Sequence, residues 1–263
     1  MPTFDSPTPI HARIELSGGS VRVRASARAD TVVEVRPSHG GSGADAQLAE
    51  QTRIEFADGR LTVSVPRRPR LLFFGGMPSV DIDVLLPEDS RVEVTSSAGD
   101  VDCEGRLGDV RIDTRYGDIR IDRSTAARIH TSAGEISISD AEGPAEASTS
   151  YGEIRVGRAS GDLRLDSACG DITVDCALAS VGARTKYGQV RVHEAVQGSL
   201  DLETAYGTVE AGIREGTAAW LDVASASGRV RNLLTESDGP AESEESLRVR
   251  ARTAHGNIVI RRA

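Results

Sequence analysis

Thr149-Ser150-Tyr151-Gly152-Glu153-Ile154-Arg155-Val156 is one of nine copies of a single phrase, and the spacing of those copies decides the fold. Each copy has Ser or Thr, two variable residues, Gly, a mostly polar residue, Val or Ile, a variable residue, and usually an apolar one. The phrase glycines fall at 99, 117, 134, 152, 170, 188, 207, 228 and 256, so successive copies lie 18, 17, 18, 18, 18, 19, 21 and 28 residues apart. A fixed period of this kind marks a repeat architecture. The widest step holds an insertion at 232–246 whose acids, Glu236, Asp238, Glu242, Glu244 and Glu245, surround Gly239-Pro240; it reads as a solvated loop.

Aligned on Gly, the copies resolve into columns. Two residues after it every copy is β-branched, as in Val101, Ile119, Ile136, Ile154 and Ile172. Seven and five residues before it the columns are apolar, as in Val92 and Val94 or Leu163 and Leu165. Alternation within each run gives one buried face per strand. The buried parity changes at Gly, and a period-2 element changes face only at a bend or bulge, which Gly tolerates. Each repeat is therefore strand, Gly corner, strand, then a turn of five or six residues such as Arg158-Ala159-Ser160-Gly161-Asp162. Propeller blades need about 40 residues per unit. The pattern predicts an all-β chain, a parallel β-solenoid of about 18-residue coils. Stacked in sequence order about 4.8 Å apart, nine coils would make a rod roughly 40 Å long.

Residues 1–90 read as an irregular β region or cap, and 91–263 as the repeat body. Ala12–Leu16 and Ser20–Arg24 alternate around Gly18-Gly19, and Ser38–Gly43 is a flexible loop by composition. Arg53–Val63 has Asp58-Gly59 between two alternating runs, a hairpin signal; Gly59, Leu61 and Val63 equally suit a degenerate copy of the phrase.

The net charge of −9 argues against nucleic acid as a partner, because phosphate contacts need clustered Lys and Arg. Lys186 is the only lysine. No apolar run approaches the roughly 18–20 residues that span a bilayer. Met1–Ser6 has neither a basic nor an apolar stretch, so no signal peptide is expected and the chain is placed in the cytoplasm. Cys103, Cys169 and Cys176 lie in strand-like contexts and read as small buried hydrophobes in a reducing compartment. His11, His39, His130, His193 and His255 show no metal spacing, and no phosphate loop, dinucleotide fingerprint or nucleophile elbow occurs. No cofactor is expected.

Three columns could carry chemistry. The hydroxyl three residues before Gly points inward by parity and should bond along the ladder or to corner backbone; no His or Lys base accompanies it. The residue after Gly is acidic in the first five copies, Asp100, Asp118, Glu135, Glu153 and Asp171. Carboxylates about 5 Å apart suit a retaining glycosidase or Ca²⁺, but any outward acidic column in a solenoid produces that spacing. The residue before Gly holds all four tyrosines, Tyr116, Tyr151, Tyr187 and Tyr206. Arg120, Arg155 and Arg191, three residues after Gly, accompany the first three of them. Large residues alternating with small ones would let a ring pack over the adjacent coil, or form a stripe for glycan or peptide. Phe73 and Phe74, in the Arg-rich loop Pro66–Pro78, complete the candidate interaction surface; that loop reads as a flap over an open solenoid end or a contact site for a partner or membrane.

With Leu86-Pro87-Glu88-Asp89-Ser90-Arg91-Val92-Glu93-Val94-Thr95 leading into these repeats, the chain resembles the bacterial putative-adhesin family of β-strand repeat proteins over nearly its whole length. That family is defined around a domain of unknown function. The resemblance implies a β-solenoid, supplies no catalytic residues, and suggests surface attachment. The expectation is a non-enzymatic scaffold or interaction protein that binds a protein partner or its own copies. The alternatives are an envelope-associated module binding glycan or protein, and a carbohydrate-active solenoid enzyme.

Overall fold

The computed structural model describes residues 1–66, 78–234 and 245–263. They are almost entirely β, with one helix, Gly43–Gln51. The chain forms two compact units, Met1–Ser132 and Ala133–Ala263.

In the second unit the strands Ala145–Tyr151, Leu163–Cys169, Val181–Tyr187 and Gly198–Tyr206 pair in parallel, each with its sequence neighbour. The strands that follow each corner, from Ile136–Ala141 to Val209–Ile213, form a matching parallel series. Register keeps every column: Ile154 faces Ile172, which faces Val190. Each coil is thus two strands wrapped around apolar columns that bury completely, such as Ile154, Ile172, Val190 and Val209. At about 1.5–3 kcal/mol per buried Val or Ile side chain, these columns hold the coils together.

The coils do not all stack in sequence order, which corrects the simple rod. Gly198–Tyr206 pairs next with Ser246–His255, and that strand pairs on its far side with Ala218–Ser227. The following strands repeat the order: Val209–Ile213, then Ile258–Arg262, then Val230–Asn232. The last coil of the sequence is therefore inserted one level in. Charge favours this order. Asp201 and Glu203 face Arg250 and Arg252, and Asp222 faces Arg250 from the other side. Sequence order would instead set Asp222 opposite Asp201, and like charges directly opposed destabilise a sheet.

The first unit uses the same device. His11–Glu15 lies between Arg60–Ser64 and Arg91–Thr95, and Val21–Ser26 lies between Val80–Pro87 and the start of Val101–Tyr116. The N-terminal region thus contains two coils that the phrase does not announce. Gly19 is a corner carrying Leu16 where the other copies have a hydroxyl. Leu61 and Val63 fall in the columns of Ala12 and Ile14. Asp58 and Gly59, at φ 51° and 68°, make the hairpin turn joining Arg53–Ala57 to Arg60–Ser64; the hairpin reading holds, while the phrase reading fails, because Leu61 and Val63 fall in the columns that precede a corner, those of Val92 and Val94, and Gly59 is not a corner. Antiparallel strands cover the outer edges: Arg53–Ala57 on Arg60–Ser64, and Asp30–Pro37 on Val80–Pro87. Covering an edge removes a template for strand addition.

Three local features differ from expectation. Helix Gly43–Gln51 follows the loop, started by Ser42, whose Oγ accepts the Asp45 N–H at 3.2 Å; the Ser-x-x-Asp pattern was its signal. The turn after each second strand is shorter than five residues, because Arg158 and Ala159 remain paired with Cys176 and Ala177. This adds a buried alanine column, Ala141, Ala159, Ala177 and Ala195. Of the cysteines only Cys103 is buried, its thiol pushed up to about 12 by burial and then by Asp102; Cys169 and Cys176 are half-exposed.

Candidate functional site

The Gly corner positions everything on this surface. Gly170 has φ 152°, and a Cβ there would sit 2.0 Å from the Gly152 carbonyl oxygen. Only Gly allows this approach, which turns the residue before it outward.

The hydroxyl column is structural. Thr185 Oγ1 donates to the Gly170 carbonyl at 3.0 Å, Thr204 to Gly188 at 2.9 Å, Thr253 to Gly207 at 3.1 Å and Ser225 to Gly256 at 2.8 Å. Each ties one coil to the corner of its spatial neighbour, and the last two follow the inverted order. Ser96 and Thr131 hydroxyls are buried without a partner among the described residues.

The acidic column divides by side-chain length. Asp100 Oδ1 accepts the Asp118 backbone N–H at 2.9 Å, and Asp171 Oδ1 accepts that of Gln189 at 2.8 Å. Asn257 does the same for Arg229 at 3.0 Å. A short Asp or Asn reaches the backbone of the next coil, whereas the longer Glu153 bonds Arg155, and Glu135 lies 3.5 Å from the same guanidinium. The carboxylates are thus committed to backbone and arginine. Among the described residues no cluster of His, Cys, Asp or Glu could hold a metal ion, and no helix is long and apolar enough to cross a membrane.

The arginines serve the same ladder. Arg120 lies 3.6 Å from Asp118, and Arg191 donates to Gln189 at 2.8 Å and to Glu210 at 3.0 Å. Glu210 also accepts from Arg261 at 2.8 Å. Burial opposes its ionisation, but these two guanidiniums hold its carboxyl below the usual range.

The tyrosines stand outward. Tyr116 is 62 % exposed in the first unit, and Tyr151, Tyr187 and Tyr206 are 65, 56 and 49 % exposed in the second. Ala98 pairs with Tyr116, and Cys169 with both Tyr151 and Tyr187, so small neighbours flank these rings without covering them. Tyr187 and Tyr206 stack at 5.1 Å with planes 7° apart, and Tyr206 stacks on His255 at 4.8 Å and 12°. Sequence reading missed His255, because only the inverted coil order sets it beside Tyr206. Phe73 and Phe74, with most of the Pro66–Pro78 loop, lie outside the described residues, as does most of the 232–246 insertion.

An open groove of about 230 Å³ is lined by Leu163, Arg164, Asp166, Gly182 and Arg184. Gly182 makes it, since the position carries no side chain where the neighbouring coils carry Arg164 and Asp201. Arg184 on its wall donates to Asp201 at 2.9 Å.

A family model described as Toastrack DUF4097 matches residues 11–261. No curated protein matches the sequence. Among solved structures, the chain is similar to a "putative adhesin" from Bacteroides fragilis, with 12% identity and a TM-score of 0.40, covering 98% of this chain and 96% of that one. It is also similar to a "putative cell adhesion protein" from Clostridium sporogenes, with 11% identity and a TM-score of 0.24, covering 100% and 98%.

Proposed function

The chain belongs to the Toastrack DUF4097 family, and from that premise we propose a non-catalytic interaction scaffold whose working surface is the exposed tyrosines of its corners. One observation carries the reading: all four tyrosines of the chain leave the core and stand 49 to 65 % exposed at the same repeat position. Exposed aromatic rings offer large rigid contact area at low entropic cost, as binding surfaces do. Most of the neighbouring hydroxyls, acids and arginines are engaged with corner backbone or with one another, which supports a non-catalytic reading.

The test is an array of glycans and peptides probed with the wild-type chain and with Tyr116, Tyr151, Tyr187 and Tyr206 all replaced by Ser. Binding lost at an unchanged melting temperature supports the scaffold. Binding that survives the fourfold replacement overturns it.

A second reading, self-association, is favoured by the end coil of the second unit. Trp220 and Leu233 are 66 and 65 % exposed there, and among the described residues Ala218–Ser227 pairs on one side only. Sedimentation across a hundredfold concentration range tests it: a monomer throughout removes this reading.

A further inference from the structure

We propose that the gap above Cys169, walled by Tyr151 and Tyr187, is a binding slot for one six-membered sugar ring; this rests on the tyrosine surface being the working one. Tyr151, Cys169 and Tyr187 occupy one column in three successive coils. With coils about 4.8 Å apart, the two tyrosine positions lie about 9.6 Å apart. Tyr187 stacks nearly parallel on Tyr206, so its opposite face is turned toward the Cys169 coil. The aromatic ladder Tyr151, Cys169, Tyr187, Tyr206, His255 thus lacks one rung.

The dimensions fit a guest ring. Successive rings in this ladder are spaced 5.1 and 4.8 Å, so a ring seated over Cys169 would sit at ladder spacing from both walls. Among the described residues, exposure follows the number of ring neighbours: 65 % for Tyr151 with none, 56 % for Tyr187 with one, 49 % for Tyr206 with two. The half-exposed Cys169 side chain is too short to fill the space.

The rim selects a sugar over a flat aromatic group. Exposed Lys186 adjoins Tyr187 in the chain, and exposed Arg155, which Glu153 and Glu135 engage, follows Tyr151. Polar groups thus lie next in the chain to both tyrosines, whose ring faces are the walls of the proposed slot. A pyranose with equatorial hydroxyls meets both demands: axial C–H bonds face the rings, and hydroxyls radiate from its edge to the rim. A contact of this size predicts a Kd on the order of 1 mM for a single seated ring.

The experiment titrates cellotetraose and chitotetraose, with p-cresol as the flat comparison, into the full chain and follows the aromatic proton resonances of Tyr151 and Tyr187. At least one oligosaccharide is expected to shift both tyrosines. Cys169→Tyr supplies the missing rung, and Tyr151→Ala removes a wall; each should weaken binding at least tenfold. Because Cys169→Tyr continues a ladder already present, it remains informative if Tyr151→Ala fails to fold. The slot is overturned if neither oligosaccharide shifts these resonances, if Cys169→Tyr binds as wild type, or if p-cresol alone binds. Array binding lost in the fourfold tyrosine variant but kept in Cys169→Tyr would sink the slot and leave the tyrosine surface standing.

Discussion

Tyr206 and His255 are 49 positions apart in the chain, and their rings stack at 4.8 Å. The coil that follows Tyr206 in sequence carries Ser227 in this column, yet Ser227 pairs beyond His255 rather than against Tyr206. The stack is therefore a direct consequence of coil order. His255→Ala should cost about 0.5–1.5 kcal/mol in chemical denaturation. Ser227→Ala, outside the stack, should cost close to nothing by the same measurement.

Deleting residues 246–263 tests the order itself. In a solenoid wound in sequence, losing the final coil leaves the others intact. Here Ala218–Ser227 and Val230–Asn232 pair only with that coil among the described residues. Amide exchange should show residues 218–232 unprotected in the truncated chain, while 145–187 keep their protection. Retained protection at 218–232 would contradict the inverted order.

Two glycine substitutions should diverge in sign. Gly170→Ala places a Cβ 2.0 Å from a backbone oxygen at φ 152°, and a clash with backbone cannot be relieved by a rotamer change. A loss above about 3 kcal/mol, or failure to fold, is expected. Gly182→Ala meets nothing closer than 3.8 Å and should stabilise by up to about 1 kcal/mol through the unfolded state. Thermal melts of both proteins compare them directly.

The hydroxyl column offers a matched pair. Thr204→Val strips the Gly188 carbonyl of its side-chain donor and should cost about 1–3 kcal/mol. Thr131→Val removes a buried hydroxyl that has no partner among the described residues, and should be neutral or stabilising. Equal losses in urea denaturation would show that the corner bonds do not hold the coils.

Asp45 gives a pH dependence. Its carboxylate accepts the backbone N–H groups of His39 and Ser79, both at 3.2 Å, and lies 3.0 Å from His39 Nδ1. Burial works against ionisation, but these hydrogen bonds outweigh it and hold the carboxyl below its usual 3.8. A depressed folded pKa means the stabilisation is complete above the unfolded value and is lost as pH falls through the folded one. Asp45→Asn should therefore cost about 1–3 kcal/mol at pH 7, with the difference shrinking only below about pH 4. Denaturation at pH 7, 5 and 3 measures it; a difference that vanishes by pH 5 would contradict the assignment.

Much of the candidate surface was legible because it repeats. The tyrosines shared one column, and the parity change at Gly allowed their outward position. That the rings would be exposed was not legible, because burial over Ala133 or Cys169 satisfied the same alternation. The arginines were legible as a column that accompanies the tyrosines, but not the choice of Asp for backbone caps and Glu for guanidiniums. That choice depends on a reach of about one methylene across the coil spacing. The Gly19 coil escaped notice because Leu16 replaces the hydroxyl and its second-strand columns, Val21 and Val23, stood alone.

The sequence by itself determined the cross-section of a coil: which residues face inward, where the corner falls, and that only Gly can occupy it. Those are local consequences of period-2 alternation and of a Cβ that has no room. Only the tertiary structure decided which coil lies on which. The inward columns are so alike, Val or Ile over Val or Ile, that any coil can stack on any other at similar gain in burial. The choice falls to outward groups far apart in the chain, Arg250 and Arg252 between Asp201, Glu203 and Asp222, and His255 against Tyr206. Such pairings form only once the coils are assembled, so no periodicity along the chain could announce them.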